Sequence, residues 1–124
     1  MGKIRFVISL IFAKLSYFFL KLTGISSGTS IIGLFVLKIC PCFLKYANSK
    51  ISTKKINITG TTGKTTTPGL ITHLIHKSGK SNINNSMGAN MLNGVVNALA
   101  LGIKLFNKSD YYVIELDEAN VELV

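Results

Sequence analysis

Residues 56–67 read Ile56-Asn57-Ile58-Thr59-Gly60-Thr61-Thr62-Gly63-Lys64-Thr65-Thr66-Thr67, which is a short apolar run, a glycine-rich turn, and a lysine followed by hydroxyl residues. Because Gly60 and Gly63 lack a Cβ atom, the backbone can turn tightly and approach a ligand closely. Backbone N–H groups could then converge on phosphate oxygens at the start of a helix. Lys64 would supply a positive charge to the β- and γ-phosphates, and Thr65 a hydroxyl ligand for Mg²⁺. The stretch therefore predicts a phosphate-binding loop.

The loop departs from the common pattern G-x-x-x-x-G-K-[ST], since that pattern requires glycine where Ile58 stands. The first glycine is Gly60, two residues later. This shortened form, T-G-T-x-G-K-T-T, resembles the ATP loop of the Mur ligase family and of the related folylpolyglutamate synthetases. The expected activity is therefore that of an ATP-dependent carbon–nitrogen ligase.

Two later motifs strengthen the resemblance. They are Ser86-Met87-Gly88-Ala89-Asn90-Met91 and Val113-Ile114-Glu115-Leu116-Asp117-Glu118-Ala119. Together with the loop they resemble, in the same order, the MurT branch of the family, and the similarity runs from about residue 10 to residue 124. MurT is the ligase-like subunit that works with the glutaminase GatD to amidate the D-glutamate of lipid II in peptidoglycan synthesis. The resemblance thus implies ATP and Mg²⁺ as cofactors, and a GatD-like glutaminase and lipid II as partners.

The resemblance also implies a set of site residues. The nucleotide would be bound by the loop and by one residue of the second motif: Gly60, Thr61, Thr62, Gly63, Lys64, Thr65, Thr66 and Asn90. The metal would be held by Thr65 and Glu115. Ser86 lies with Asn90 in the segment expected to approach the γ-phosphate. No catalytic residue of the parent enzymes is assigned in this chain, and we expect that the chain alone does not complete ligation.

The order of elements predicts an α/β fold with a parallel sheet and flanking helices, as in part of a Mur ligase central domain. Strands are predicted before the loop, at 81–84 and at 111–114, and helices at 65–77 and 89–106. Pro68 and Gly69 are expected to weaken the first of these helices, and Gly79 to end it. Ligands of such sheets bind at the carboxyl ends of the strands, where both the loop and Glu115 fall.

Residues 1–50 predict a helical segment before the nucleotide-binding domain, which would occupy 51–124 and be incomplete. The run from Ile4 to Leu22 is apolar but contains Arg5, Lys14 and Lys21, which disfavour a clean transmembrane helix and a secretory signal. Two alternatives remain open. The helix could lie at a membrane interface, with Lys14 and Lys21 on one face, or it could pack on domains of the parent protein that are missing from this chain.

Charge is distributed in blocks. The chain carries 14 basic and five acidic residues, and every acidic residue follows Lys108, the last of the basic ones. The composition favours anionic lipid or phosphorylated substrates over nucleic acid, because no nucleic-acid recognition module is present. The resemblance implies a cytoplasmic protein, and the interfacial alternative would place it at the inner face of the membrane. Two rival functions stay open: a small P-loop NTPase, and a non-catalytic membrane-surface protein with a vestigial loop.

Overall fold

Three short strands form a parallel sheet in the computed structural model, which describes residues 1–24, 29–51, 54–85, 91–105 and 107–119. Within these residues the protein is mixed α/β, as predicted. The elements in chain order are α1 (Gly2–Thr23), α2 (Thr29–Ile39), α3 (Phe43–Lys50), β1 (Lys55–Ile58), α4 (Thr66–Lys77), β2 (Asn82–Asn84), α5 (Leu92–Gly102) and β3 (Tyr111–Glu115).

The strand order β1-β3-β2 places the last strand at the centre of the sheet. β3 pairs with β1 from Lys55↔Tyr112 to Ile58↔Glu115, and with β2 on its other edge. Its sequence is aromatic and β-branched, which suits a strand covered on both faces. Tyr112, Val113 and Ile114 are all fully buried, as a central parallel strand requires.

The main core lies between the sheet and the N-terminal helices. Alternate residues of β3 and its continuation, Tyr112, Ile114 and Leu116, join Phe6 and Leu10 of α1 in one buried cluster. Val113 alternates with these residues and therefore points to the other face of the sheet. α4 contacts the strands β2 and β3. The three N-terminal helices thus share a core with the nucleotide-binding candidate region.

α2 packs closely on α5 because Gly33 has no side chain. A Cβ atom at Gly33 would overlap the backbone carbonyl oxygen of Asn93. α1 packs on both α2 and α5, and the Lys14 ammonium donates to the carbonyl oxygen of Leu101, with Nζ and O 2.9 Å apart. Lys14 is therefore turned toward the end of α5 and does not lie on an exposed basic face with Lys21. Burial lowers the pKa of Lys14.

The start and the end of α4 bear on two expectations. It begins at Thr66, and the Thr67 N–H already donates to the carbonyl oxygen of Gly63, four residues earlier, whereas Pro68 has no N–H to continue this series. That Pro68 and Gly69 weaken the helix therefore stays a prediction, with Gly69 costing about 1 kcal/mol relative to alanine. Gly79 (φ +74°) follows the helix in the left-handed conformation. The Gly79 N–H donates to the carbonyl oxygen of His76, and the Lys80 N–H donates to that of Ile75. The helix therefore ends as predicted.

α5 ends at Gly102, four residues before the predicted end, and its start lies at Leu92. Gly102 packs against Ile83 of β2, where a Cβ atom would overlap the isoleucine side chain. The chain then becomes extended at Ile103 (φ −66°, ψ 123°). The apolar spacing that suggested a longer helix therefore continues into an extended segment, since Ile103 is buried without being helical.

Replacing Tyr112 by phenylalanine is expected to stabilise the protein by about 1 kcal/mol. The Tyr112 hydroxyl is buried and has no hydrogen-bond partner among the described residues, and burial raises its pKa. An unsatisfied buried hydroxyl costs free energy that phenylalanine does not. Urea denaturation measures the change, with Tyr111→Phe on the half-buried neighbour as the control. A loss of stability on Tyr112→Phe would mean that the hydroxyl is hydrogen-bonded in the folded protein.

Candidate functional site

The glycine loop, residues 59–65, connects the end of β1 to the start of α4. Gly60 has φ +144° and Gly63 has φ +75°, conformations that residues with a side chain rarely adopt. A Cβ atom placed on Gly60 would meet nothing within 4 Å, so the space in front of this backbone is open. The loop therefore needs glycine at both positions for its conformation, and at Gly60 the missing side chain keeps the approach clear.

The loop is accessible and leads directly into a helix N-terminus. Thr61, Thr62 and Gly63 are exposed, and the Thr67 N–H donates to the Gly63 carbonyl oxygen at 2.9 Å, which starts the helical turn. The first turn of α4 contains no acidic residue. Since a helix N-terminus carries a partial positive charge, the loop offers a favourable place for an anion.

Lys64 forms an ion pair that the sequence did not indicate. Its Nζ lies 3.3 Å from Oδ1 of Asp117, and the two side chains are 25% and 40% exposed. Asp117 follows β3 and belongs to the third sequence motif, but no role was predicted for it. The signal available in the sequence was the position of Asp117 just after β3, the strand that pairs with β1. A partly exposed pair of this kind contributes at most about 1 kcal/mol, so a phosphate could replace the carboxylate at small cost.

Glu115 ends β3 beside the start of the glycine loop. It stands opposite Ile58 in the sheet, and the next N–H, of Leu116, donates to the Ile58 carbonyl oxygen at 2.9 Å. The Glu115 side chain is half-buried. The sequence prediction that the loop and Glu115 lie at one edge of the sheet is therefore confirmed.

Asn85 holds the end of β3 in place. Its Nδ2 donates to the Glu115 carbonyl oxygen at 2.8 Å, and its Oδ1 accepts from the Glu115 N–H at 2.9 Å. The residue pairing of β2 with β3 ends at Asn84. One residue later, the side-chain amide of Asn85 takes the place of a strand backbone and bonds to β3. Asn85 is 5% exposed. The sequence did not indicate this role for Asn85, and its position directly after the strand predicted at 81–84 was the one available clue.

The remaining predicted residues lie as follows. Thr65 occupies the N-cap position of α4 and is exposed, and Thr66 is the first residue of that helix. Asn90 and Ser86 lie outside the described residues. The structure thus brings together the glycine loop, Lys64, Asp117 and the end of β3.

The oxygen donors at this edge suit magnesium better than a transition metal. Among the described residues no group of three or more His, Cys, Asp or Glu side chains could hold a metal ion. Magnesium at nucleotide sites commonly takes only one or two protein oxygens, with phosphate and water supplying the rest. A hydroxyl from Thr65 and a carboxylate from Glu115 are donors of this type, so the residues present fit the ion.

A polar cavity of about 580 Å³ lies at the other end of the strands. Ser81 and Ser109, which precede β2 and β3, line it together with Lys80 and Lys104. Ligands of open parallel sheets bind at the carboxyl ends of the strands. The glycine loop, at that end, is therefore the better candidate.

Comparisons of the chain with protein-family models, with curated proteins and with solved structures found no match.

Proposed function

We propose that this chain binds ATP with Mg²⁺ at the glycine loop and acts as the nucleotide-binding part of a Mur-type ligase resembling MurT. The observation that carries the proposal is the Lys64 side chain, at the end of a glycine loop with two positive-φ residues, facing the carboxylate of Asp117 beyond the adjacent strand. Such a loop between a parallel strand and a helix is typical of phosphate binding. The T-G-T-x-G-K-T-T form supports the Mur type among the phosphate-binding loops.

The loop residues would bind and orient the triphosphate. Backbone N–H groups of the loop and of the first turn of α4 would donate to phosphate oxygens, and Lys64 would exchange Asp117 for the β- and γ-phosphates. Thr65 and Glu115 would hold Mg²⁺, which supplies charge neutralisation of the transferring phosphoryl group. These residues would act by positioning the phosphates and by electrostatic stabilisation, and none of them would need to act as a general acid or base.

The reaction that the motif resemblance implies is activation of a substrate carboxylate as an acyl phosphate. Ammonia from a GatD-like glutaminase then attacks the acyl carbon, and inorganic phosphate leaves. In MurT the carboxylate is that of D-glutamate in lipid II. For this chain the same substrate and partner are part of the proposal, and its own contribution would be to hold and polarise the nucleotide.

Isothermal titration with ATP tests the proposal, with and without magnesium. We expect saturable binding that requires Mg²⁺ and that inorganic triphosphate competes for, because the described site consists of phosphate-binding groups. A phosphate-release assay without any glutaminase should show no sustained turnover. Sustained release would favour a free-standing NTPase, and absence of ATP binding would contradict the proposal.

A further inference from the structure

Six apolar side chains form a stripe along the face of α1 that points away from the core. They follow one another at alternating steps of four and three residues, which keeps them on one side of a helix. The residues of this apolar stripe are Ile4, Ile8, Ile11, Leu15, Phe18 and Leu22. Their exposed fractions run from 46% to 67%, and at 1.5 Å per residue the stripe is about 27 Å long. An apolar surface of this extent is unusual on a soluble protein and marks an interaction site.

The stripe borders an apolar groove between α1 and α2. This groove has a volume of about 480 Å³, and Phe12, Phe19, Ile31 and Phe35 are among its lining residues. Ile31 and Phe35 are themselves 56% and 48% exposed. The stripe and the groove therefore make one apolar surface that two helices share.

α1 is long and apolar enough to cross a bilayer, but its other face is committed to the fold. Phe6, Leu10 and Ala13 are buried in the core, and Lys14 donates to the Leu101 carbonyl oxygen. Inserting α1 across a membrane would strip these residues from the core and leave Lys14 without that acceptor. The structure is compatible with α1 lying on a surface and exposing only the stripe.

The charges around this apolar surface indicate which kind of partner it binds. Residues 2–50 carry seven basic side chains and no acidic one, and Lys3, Arg5 and Lys21 are exposed on α1 itself. A second copy of the chain would bring the same positive charges together, which disfavours self-association through this face. A bilayer with anionic headgroups offers both an apolar interior and a complementary charge.

We propose that the apolar stripe and the α1–α2 groove dock on the surface of an anionic lipid bilayer, with α1 parallel to the membrane plane. The stripe enters the boundary between headgroups and acyl chains, and the lysine and arginine side chains contact the headgroups. The proposal does not depend on nucleotide binding.

Co-sedimentation with vesicles tests the proposal. We expect the protein to bind vesicles of equimolar phosphatidylcholine and phosphatidylglycerol, to bind those of phosphatidylcholine alone more weakly, and to lose affinity as salt is added. The double variant Leu15→Ser, Leu22→Ser should reduce the partition coefficient by roughly tenfold or more, because two leucines no longer leave water on binding.

Leu70→Ser, Leu74→Ser is the matched control. These two leucines are 61% and 67% exposed on α4, so the variant removes the same apolar groups from a different helix. It should leave vesicle binding unchanged, as should Lys64→Ala, and circular dichroism verifies that each variant folds. Equal losses for both leucine pairs, no binding to anionic vesicles, or binding indifferent to lipid charge and salt would each overturn the proposal. A dimer that depends on the stripe and persists with vesicles present would also overturn it.

Discussion

The Lys64→Ala variant is expected to show none of the rise in melting temperature that we expect ATP and Mg²⁺ to give the wild-type chain. A ligand that binds the folded state stabilises it by about 2.7 kcal/mol at a concentration about 100 times Kd. For a domain of this size that corresponds to a rise of roughly 10 °C. Lys64 is the cation placed at the glycine loop, so its removal leaves the β- and γ-phosphates without their main charge partner. Thermal unfolding followed by circular dichroism measures both proteins.

Two further variants sharpen this test. Lys77→Ala removes an exposed cation from the other end of α4, and it should keep the full rise. Asp117→Asn removes the carboxylate that competes for Lys64, so we expect ATP to bind up to about fivefold more tightly, in line with the small energy of a partly exposed pair. A full rise in Lys64→Ala would contradict binding at the glycine loop.

Asn85→Ala should cost about 3 kcal/mol of unfolding free energy. The alanine removes two hydrogen bonds in a nearly buried setting and leaves the N–H and carbonyl groups of Glu115 without these partners. Urea denaturation measures the loss. Asn48→Ala is the control, because Asn48 is exposed and its side-chain oxygen accepts a bond from the exposed Lys55; we expect a change within about 0.5 kcal/mol there.

Asn85→Ala should also weaken magnesium-dependent ATP binding. Asn85 fixes the backbone that carries the Glu115 carboxylate, so its loss loosens a metal ligand of the proposed site. Titration at a temperature where the variant remains folded separates this effect from unfolding. Unchanged stability and unchanged affinity would show that the end of β3 is held by other contacts.

Features that depend on neighbouring residues were predictable from the sequence. The glycine loop and the end of α4 at Gly79 each follow from the backbone preferences of a few residues. The parallel sheet followed from the order of its elements.

The sequence by itself determined where a phosphate could bind, because glycine conformations and the adjoining lysine act locally. Tertiary structure alone decided which distant groups surround that place. Asp117 reaches Lys64 across 53 residues, and Asn85 reaches Glu115 across 30. Lys14 was directed to a carbonyl group 87 residues away, whereas helical spacing placed it with Lys21. The spacing of residues describes a helix in isolation. Only the packing of α1 against α5 decides which face of α1 stays exposed to solvent.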